Sequence, residues 1–416
     1  MNTRRKSQRL LAASQRGQAF LLSLLVLFIG ISAVIYNFAT RATQEIKKGN
    51  TTAAALAQAR DALIGYAASN ANQPGVLPCP DSGNDGSADS PCGALGVTAI
   101  GRLPWKTLGQ ESLRDGAAEC LWYAVSANFK NSGVSGPAVI NSDKAGTLAV
   151  YDSNGTIMHA ASEIAAIVFA PGEGLAGQDR APAGTTTCGG NMTADAYLDS
   201  YTVGATTYNN ATGSGTNSFI VGPSAQTSQF NDKLLPLTTK ALFSVVEMRV
   251  LREMRTALRT YRTNNGYFPS ANPYATATYN CVYTSWQARL PLNINAGCPA
   301  YVNWGAELPA WFGTNNWQTV TYYAVSACRV GTVGGFVQTF IDSLCATFGD
   351  LTVAGTPNVH AVVFTAGQAI AALGQARPCA NVSACLDDAA NQDGNSTFVQ
   401  PVASATNNDR VLIVRP

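Results

Sequence analysis

The feature that most constrains this chain is an uncharged apolar run near its start, residues 19–36 (AFLLSLLVLFIGISAVIY), interrupted only by Ser23, Gly30 and Ser32. As a helix rising 1.5 Å per residue it covers about 27 Å, close to the ~30 Å hydrocarbon core of a bilayer. Five basic residues precede it: Arg4, Arg5, Lys6, Arg9 and Arg16. By the positive-inside rule this leader holds the N-terminus in the cytoplasm and sends everything after Tyr36 outward. A cleaved secretory signal would carry a shorter run followed by a small-x-small site, and residues 36–42 (YNFATRA) offer a poor one.

The segment after the run continues the pattern. In residues 40–68 (TRATQEIKKGNTTAAALAQARDALIGYAA), Ala55, Leu56, Ala59, Leu63 and Tyr66 recur at helical spacing, and no proline occurs before Pro74. The spacing predicts one helix over about 18–68, roughly 75 Å long, half membrane-spanning and half amphipathic. Gly49-Asn50 is the place where a kink is expected.

All ten cysteines follow the apolar run: Cys79, Cys92, Cys120, Cys188, Cys281, Cys298, Cys328, Cys345, Cys379 and Cys385. None forms a CxxC pair and the chain has two histidines, so a zinc ribbon, a thioredoxin-like motif or a Cys/His metal site is disfavoured. Disulfides in an oxidising compartment fit better. The simplest connectivity joins the neighbours 79–92, 281–298, 328–345 and 379–385, leaving 120–188; sequence alone leaves the pairing open. The charged fraction of 12% is about half the usual one, and the net charge is +2. Phosphate binding needs a concentrated basic face, so a nucleic-acid partner is not expected.

The exported part repeats itself. ARDALIGY (59–66) is echoed by MRTALRTY (254–261), LPWKTLG (103–109) loosely by LPAWFGT (308–314), and WYAVSA (122–127) by YYAVSA (322–327). AIVFAPG (166–172) is followed in the same order by AVVFTAG (361–367), GQDR (177–180) by GQAR (374–377), and FNDKLL (230–235) by NNDRVL (407–412). The halves divide near residue 243, giving a leader (1–17), a helix (18–68), a first head (69–242) and a second head (243–416). Each half reads helix, long loop, strand, strand, loop, strand. Its strands are short, β-branched or aromatic, and bounded by Gly, Asn and Pro. The expected fold class is α+β, with a helix packed on one face of an antiparallel sheet, followed by a second related α+β half. Within 243–262, Val246, Val250, Met254, Leu258 and Tyr261 are spaced to face a sheet.

A basic leader ending at Gly17, then an apolar stretch running into an amphipathic helix, resembles the class III signal of type IV pilins and type II secretion pseudopilins. The pattern ARDALIGYAA, LPCPD, LPW, YAV and NDKLL along nearly the whole chain also resembles large pilin-like proteins of bacterial secretion and pilus clusters. The resemblance implies cleavage by a prepilin peptidase between Gly17 and Gln18, methylation of Gln18, and a head on the periplasmic side of the inner membrane. It implies other pilins or pseudopilins as partners in a filament. Major subunits of that family carry Glu at the fifth mature position, whereas this chain has Leu22. The absence of that carboxylate implies a minor, tip-type subunit. The alternatives are an adhesin or binding protein held by an uncleaved signal anchor and, further off, a membrane-anchored periplasmic enzyme.

Residues 81–89 (DSGNDGSAD), between Cys79 and Cys92, place Asp81, Asp85 and Asp89 at calcium-loop spacing. The loop fails the EF-hand pattern, with Gly83 and Cys92 where ligands would stand, so a solvated turn closed by a disulfide competes with a calcium site. The Asp387-Asp388 to Asp393 loop is a weaker candidate. No GxSxG, HExxH or P-loop is present, His159 and His360 do not match in the repeat, and the Gly-rich stretch 170–177 reads as a turn after a buried strand. Hence no catalytic residue is assigned. Trp286, Trp304, Trp311 and Trp317 read as core, with a surface-binding patch as the alternative.

Overall fold

The computed structural model describes residues 4–93, 96–130, 139–184, 187–223, 227, 229–274, 286–292, 304, 307–330, 343, 345–347 and 349–415, and the side chains of these except 4–19, 33 and 214. The chain opens with helix α1 (Arg4–Ser69), unbroken through Gly49-Asn50. Its described part reaches back to Arg4, beyond the expected start near Gln18, and the leader lacks proline and is rich in the helix formers Arg, Gln, Leu and Ala. Among the described residues, α1 holds the one stretch long and apolar enough to cross a membrane. Phe20, Leu21, Val26, Phe28, Ile35 and Phe38 are all exposed there. From Ala55 the same helix changes character: Ala55, Leu56, Ala59, Leu63 and Ala67 form a buried stripe at three- and four-residue spacing.

The first half then supplies β1 (Ala99–Arg102), β2 (Trp122–Val125), β3 (Ala149–Tyr151), β4 (Ile157–His159), β5 (Ile164–Ala170), β6 (Ser200–Val203), β7 (Thr206–Asn209), β8 (Ser218–Ile220) and β9 (Lys233–Thr238). The second half begins with helix α2 (Thr239–Asn265), earlier than the repeat pattern suggested, because the Thr238 hydroxyl caps it by accepting the Ala241 amide. Gly266, in the left-handed conformation, closes its C-terminus. There follow β10 (Gln287–Ala288), β11 (Thr321–Val325), β12 (Leu351–Val353), β13 (Thr356–Val359), β14 (Ala361–Thr365), β15 (Thr397–Phe398) and β16 (Arg410–Val414).

Two four-stranded antiparallel sheets result, ordered β1-β2-β5-β9 and β10-β11-β14-β16. Their registers correspond residue by residue. Tyr123 faces Val168 and Tyr323 faces Val363; Phe169 faces Leu234 and Phe364 faces Val411. Pro236 is tolerated because β9 is an edge strand. The middle strands are buried along their whole length, which explains their continuous apolar runs. Tyr123, Val125, Ala166 and Val168 face the helices, and Trp122, Ala124, Ile167 and Phe169 face the other way.

Each outer face is covered by a three-stranded sheet, β4-β3-β8 in the first half and β13-β12-β15 in the second, with β3–β8 and β12–β15 parallel. The repeat pattern missed these small sheets. Their strands are two to four residues long, too short for an alternation to register.

One continuous core joins α1, α2 and the inner faces of both large sheets. Arg249 on α2 donates to the carbonyls of Ala68 and Asn70, at 2.6 Å each. Buried Asn315 accepts the Ile140 amide at 3.1 Å, and its carbonyl accepts Asn141 Nδ2 at 3.0 Å. Disulfides join Cys79–Cys92, Cys120–Cys188, Cys328–Cys345 and Cys379–Cys385, and no described cysteine is free. Cys281 and Cys298 lie outside the described residues.

Candidate functional site

Gly17 and Gln18 lie within α1, on helical backbone. Leu22 follows one turn later, exposed with the rest of the apolar run. This end of the molecule thus presents an aliphatic cylinder that no described part of the chain covers. Burying such a surface is favourable by about 25 cal/mol per Å², and the helix is long and apolar enough to cross a membrane.

The candidate calcium loop is organised by its own backbone. Asp81 is fully buried, and its carboxylate accepts the amides of Asp85 at 3.3 Å and Gly86 at 2.7 Å. Asp89 Oδ2 accepts the amides of Ser82 at 2.6 Å and Gly83 at 2.8 Å, together with the Ser82 hydroxyl. Asp85 accepts the Ser87 amide. Burial pushes Asp81 above the usual carboxylate range, while the Ser82 and Gly83 donors outweigh burial at Asp89 and hold it below. Among the described residues no three His, Cys, Asp or Glu side chains converge at a spacing suited to a metal.

Two matching polar networks sit at the starts of the last large-sheet strands. In the first half Asp199 Oδ2 accepts the amides of Asn231 and Asp232, Asp232 Oδ2 accepts the Asp199 amide, and Gln178 Nε2 donates to Asp199 Oδ1. In the second, Asp387 Oδ2 accepts the amides of Asn408 and Asp409, Asp409 Oδ2 accepts the Asp387 amide, and Gln375 Nε2 donates to Asp387 Oδ1. Arg180 and Arg377 close the two networks on backbone carbonyls, at Gly172 and Ala196 in one case and at Ala366 and Ala384 in the other. Burial, reinforced by the neighbouring aspartate, pushes Asp232 and Asp409 well above the usual carboxylate range. The sequence marked GQDR/GQAR and FNDKLL/NNDRVL as matches but not as partners. Polar residues recurring at both places were the available signal.

A cleft of about 530 Å³ opens between α1 and the base of the first large sheet, lined among others by Glu45, Lys48, Thr52, Glu173, Asn231 and Lys233. Residues 115–117 lie directly on the helix here. The Gly116 amide donates to Thr52 Oγ1 at 2.9 Å, and a Cβ at Gly116 would come within 2.3 Å of the Lys48 carbonyl oxygen. Only glycine fits that approach. Lys48 pairs with Glu173 across the opening.

The remaining candidates fall into the frame. Trp304, Trp311 and Trp317 are buried and Trp286 packs partly buried against the core, so the surface-patch alternative is set aside. His159 ends β4, 3.5 Å from Glu163. His360, between β13 and β14, accepts at Nδ1 from Arg262 at 2.6 Å, and burial beside Arg329 and Arg262 holds it below the usual imidazole range. The stretch 170–177 is the turn after β5, with the Gly172 amide donated to Asp115. Comparison with family models, curated proteins and solved structures returned no match.

Proposed function

We propose that this chain is a minor pilin-like or pseudopilin-like structural subunit. It anchors by α1 in the bacterial inner membrane, N-terminus inside, and joins, caps or initiates a type IV pilus or type II secretion filament on the periplasmic side. The observation that carries the reading is the double use of α1. Its first half exposes apolar side chains along every face, and its second half supplies the central stripe of the first head's core. A cleavable tether would need no such continuity. The four disulfides agree with an oxidising compartment.

On this proposal the two halves are copies of one pilin-like head, the second having lost its membrane segment. The equal strand order, equal register and equal Asp–Gln–Arg networks support the duplication. Leu22 favours a tip position over the filament body.

N-terminal sequencing and mass spectrometry of the membrane-extracted protein test the reading. A chain starting at a methylated Gln18 is expected, together with co-purification in sheared filaments. An intact Met1 in cells that contain an active prepilin peptidase overturns it and leaves the signal-anchored adhesin.

A further inference from the structure

Helix α2 carries cations that its counterpart does not. The alignment that sets Tyr66 on Tyr261 sets Ala57 on Arg252, Arg60 on Arg255 and Ile64 on Arg259. Arg60 is paired with Asp61 at 2.9 Å, and Ile64 packs against the core. The first head thus folds without a basic row at this place. On α2, Val245, Met248, Arg252, Arg255 and Arg259 follow one another at steps of three and four, which lays them along one side of the helix, away from the buried stripe of Val246, Val250, Met254 and Tyr261. Val245, Arg252 and Arg259 are exposed, and Met248 and Arg255 are half-buried. From Arg252 to Arg259 the row covers about 10.5 Å of helix.

The chain's own acids leave this row uncompensated. The two carboxylates of α2 are committed elsewhere: Glu247 is buried against Arg410, and Glu253 lies 3.8 Å from Arg249. The flanking arginines are also occupied, Arg249 with the Ala68 and Asn70 carbonyls and Arg262 with His360. Among the described residues neither Arg252 nor Arg255 has an ion pair or a hydrogen-bonded side-chain partner. The chain holds 25 Asp and Glu, and every one except Asp342 is described. A single carboxylate is therefore all that the rest of the sequence could bring to these two guanidiniums.

We propose that this side of α2 is a docking surface for an acidic helix of another protein. Its carboxylates, three and four residues apart, meet Arg252, Arg255 and Arg259, and its apolar residues meet Val245 and Met248. A row at steps of three and four is the side that one helix offers to another. The guanidinium fork matches a carboxylate with two hydrogen bonds, and residues 243–416 contain arginine but no lysine. An anionic lipid surface calls for a broad cluster of cations, whereas this row is one side chain wide and apolar at one end. A second copy of the chain lacks the complementary helix. Among the described residues the helices other than α1 and α2 are at most five residues long, and the acids of those two are Glu45, Asp61, Glu247 and Glu253. The inference uses α2 alone and stands apart from the filament reading.

The test uses the full chain in detergent micelles and a fluorescein-labelled peptide, LAQLAQAEAQEAQAEAQAAQA, whose leucines and glutamates repeat the steps of the row, read by fluorescence anisotropy. Its controls are the same peptide with glutamine for each glutamate and a scrambled peptide with the glutamates on separate faces. The acidic peptide is expected to bind saturably. Both controls, and the double variant Arg252→Gln with Arg255→Gln, are expected to weaken binding roughly tenfold, the scale of one charge-assisted hydrogen bond. Arg60→Gln, at the matching place on α1, is expected to leave binding unchanged. Absence of saturable binding to the wild type, equal binding of the acidic peptide and either control, or unchanged binding to the double variant each overturns the proposal. Release of the peptide by phosphatidylglycerol added to the micelles overturns it in favour of a lipid surface. The three peptides on the wild-type chain remain decisive even where the double variant does not fold.

Discussion

Glu247 is a fully enclosed carboxylate on α2, and its stability effect can be worked out in advance. Among the described residues Arg410 is its one ion-pair partner, with the Ser142 hydroxyl and the more distant Arg377 also favouring the charged form. Burial outweighs these partners together and pushes the carboxyl up from 4.5 to about 7. An acid with a raised folded-state pKa binds protons more readily in the native than in the unfolded chain. Its destabilising effect is therefore absent below about pH 4.5, grows through the interval, and is complete above about pH 7. At about 1.4 kcal/mol per unit this amounts to roughly 3 kcal/mol. Glu247→Gln removes the titration and keeps the shape. The loss of the Arg410 contact shifts the variant's stability by a constant, but the difference between variant and wild type must move in the variant's favour by roughly 3 kcal/mol between pH 4.5 and 7.5. For a cooperative unit of roughly 350 residues this is a relative Tm shift of about 5 °C. Thermal melts in micelles at several pH values measure it. A difference that stays flat across this range, or moves the other way, refutes the balance of burial over pairing.

Three further outcomes are expected. Gly116→Val should drive residues 115–117 off α1 and cost about 1–3 kcal/mol, read as a lower urea midpoint with faster proteolysis near residue 116. Removing Cys120–Cys188, which spans 68 residues, should cost about 4 kcal/mol, against about 2 kcal/mol for Cys379–Cys385, which spans 6, in parallel denaturation of the Ser variants. Arg180→Met and Arg377→Met should each leave buried carbonyls without donors and cost similar amounts, about 1–3 kcal/mol, and strongly unequal effects would contradict the equivalence of the two networks.

Much of the architecture was legible because it rests on long patterns. The stripe from Ala55 to Leu63 and the one from Val246 to Tyr261 repeat over several helical turns, so their burial followed from spacing alone. The strands around Tyr123 and Tyr323 were marked by recurrence more than by propensity. The small outer sheets were not legible, because β3 and β12 are three residues long and owe their pairing to apolar cover from Phe219 and Phe398. The cleft was hidden for a different reason. It is lined by residues scattered over α1, the 115–117 turn and the ends of β5 and β9, and no spacing in the sequence brings these together. The acidic spacing of the 81–89 loop was legible, but the amides that Asp81 and Asp89 accept depend on how the loop turns, which spacing does not give.

Because α1 runs without a break from its apolar stretch into the first core, it acts as an axle as well as an anchor. Between Tyr36 and Ala55 the chain has no hinge in which a rotation could dissipate. Each residue added or removed there turns the head by about 100° about the helix axis and moves it by about 1.5 Å. The length of that stretch therefore fixes the compass bearing of the heads relative to whatever grips the apolar end. A change of one residue between Tyr36 and Gln44, ahead of the contacts that Lys48 and Thr52 make with the first head, would leave those contacts intact and point the heads in another direction.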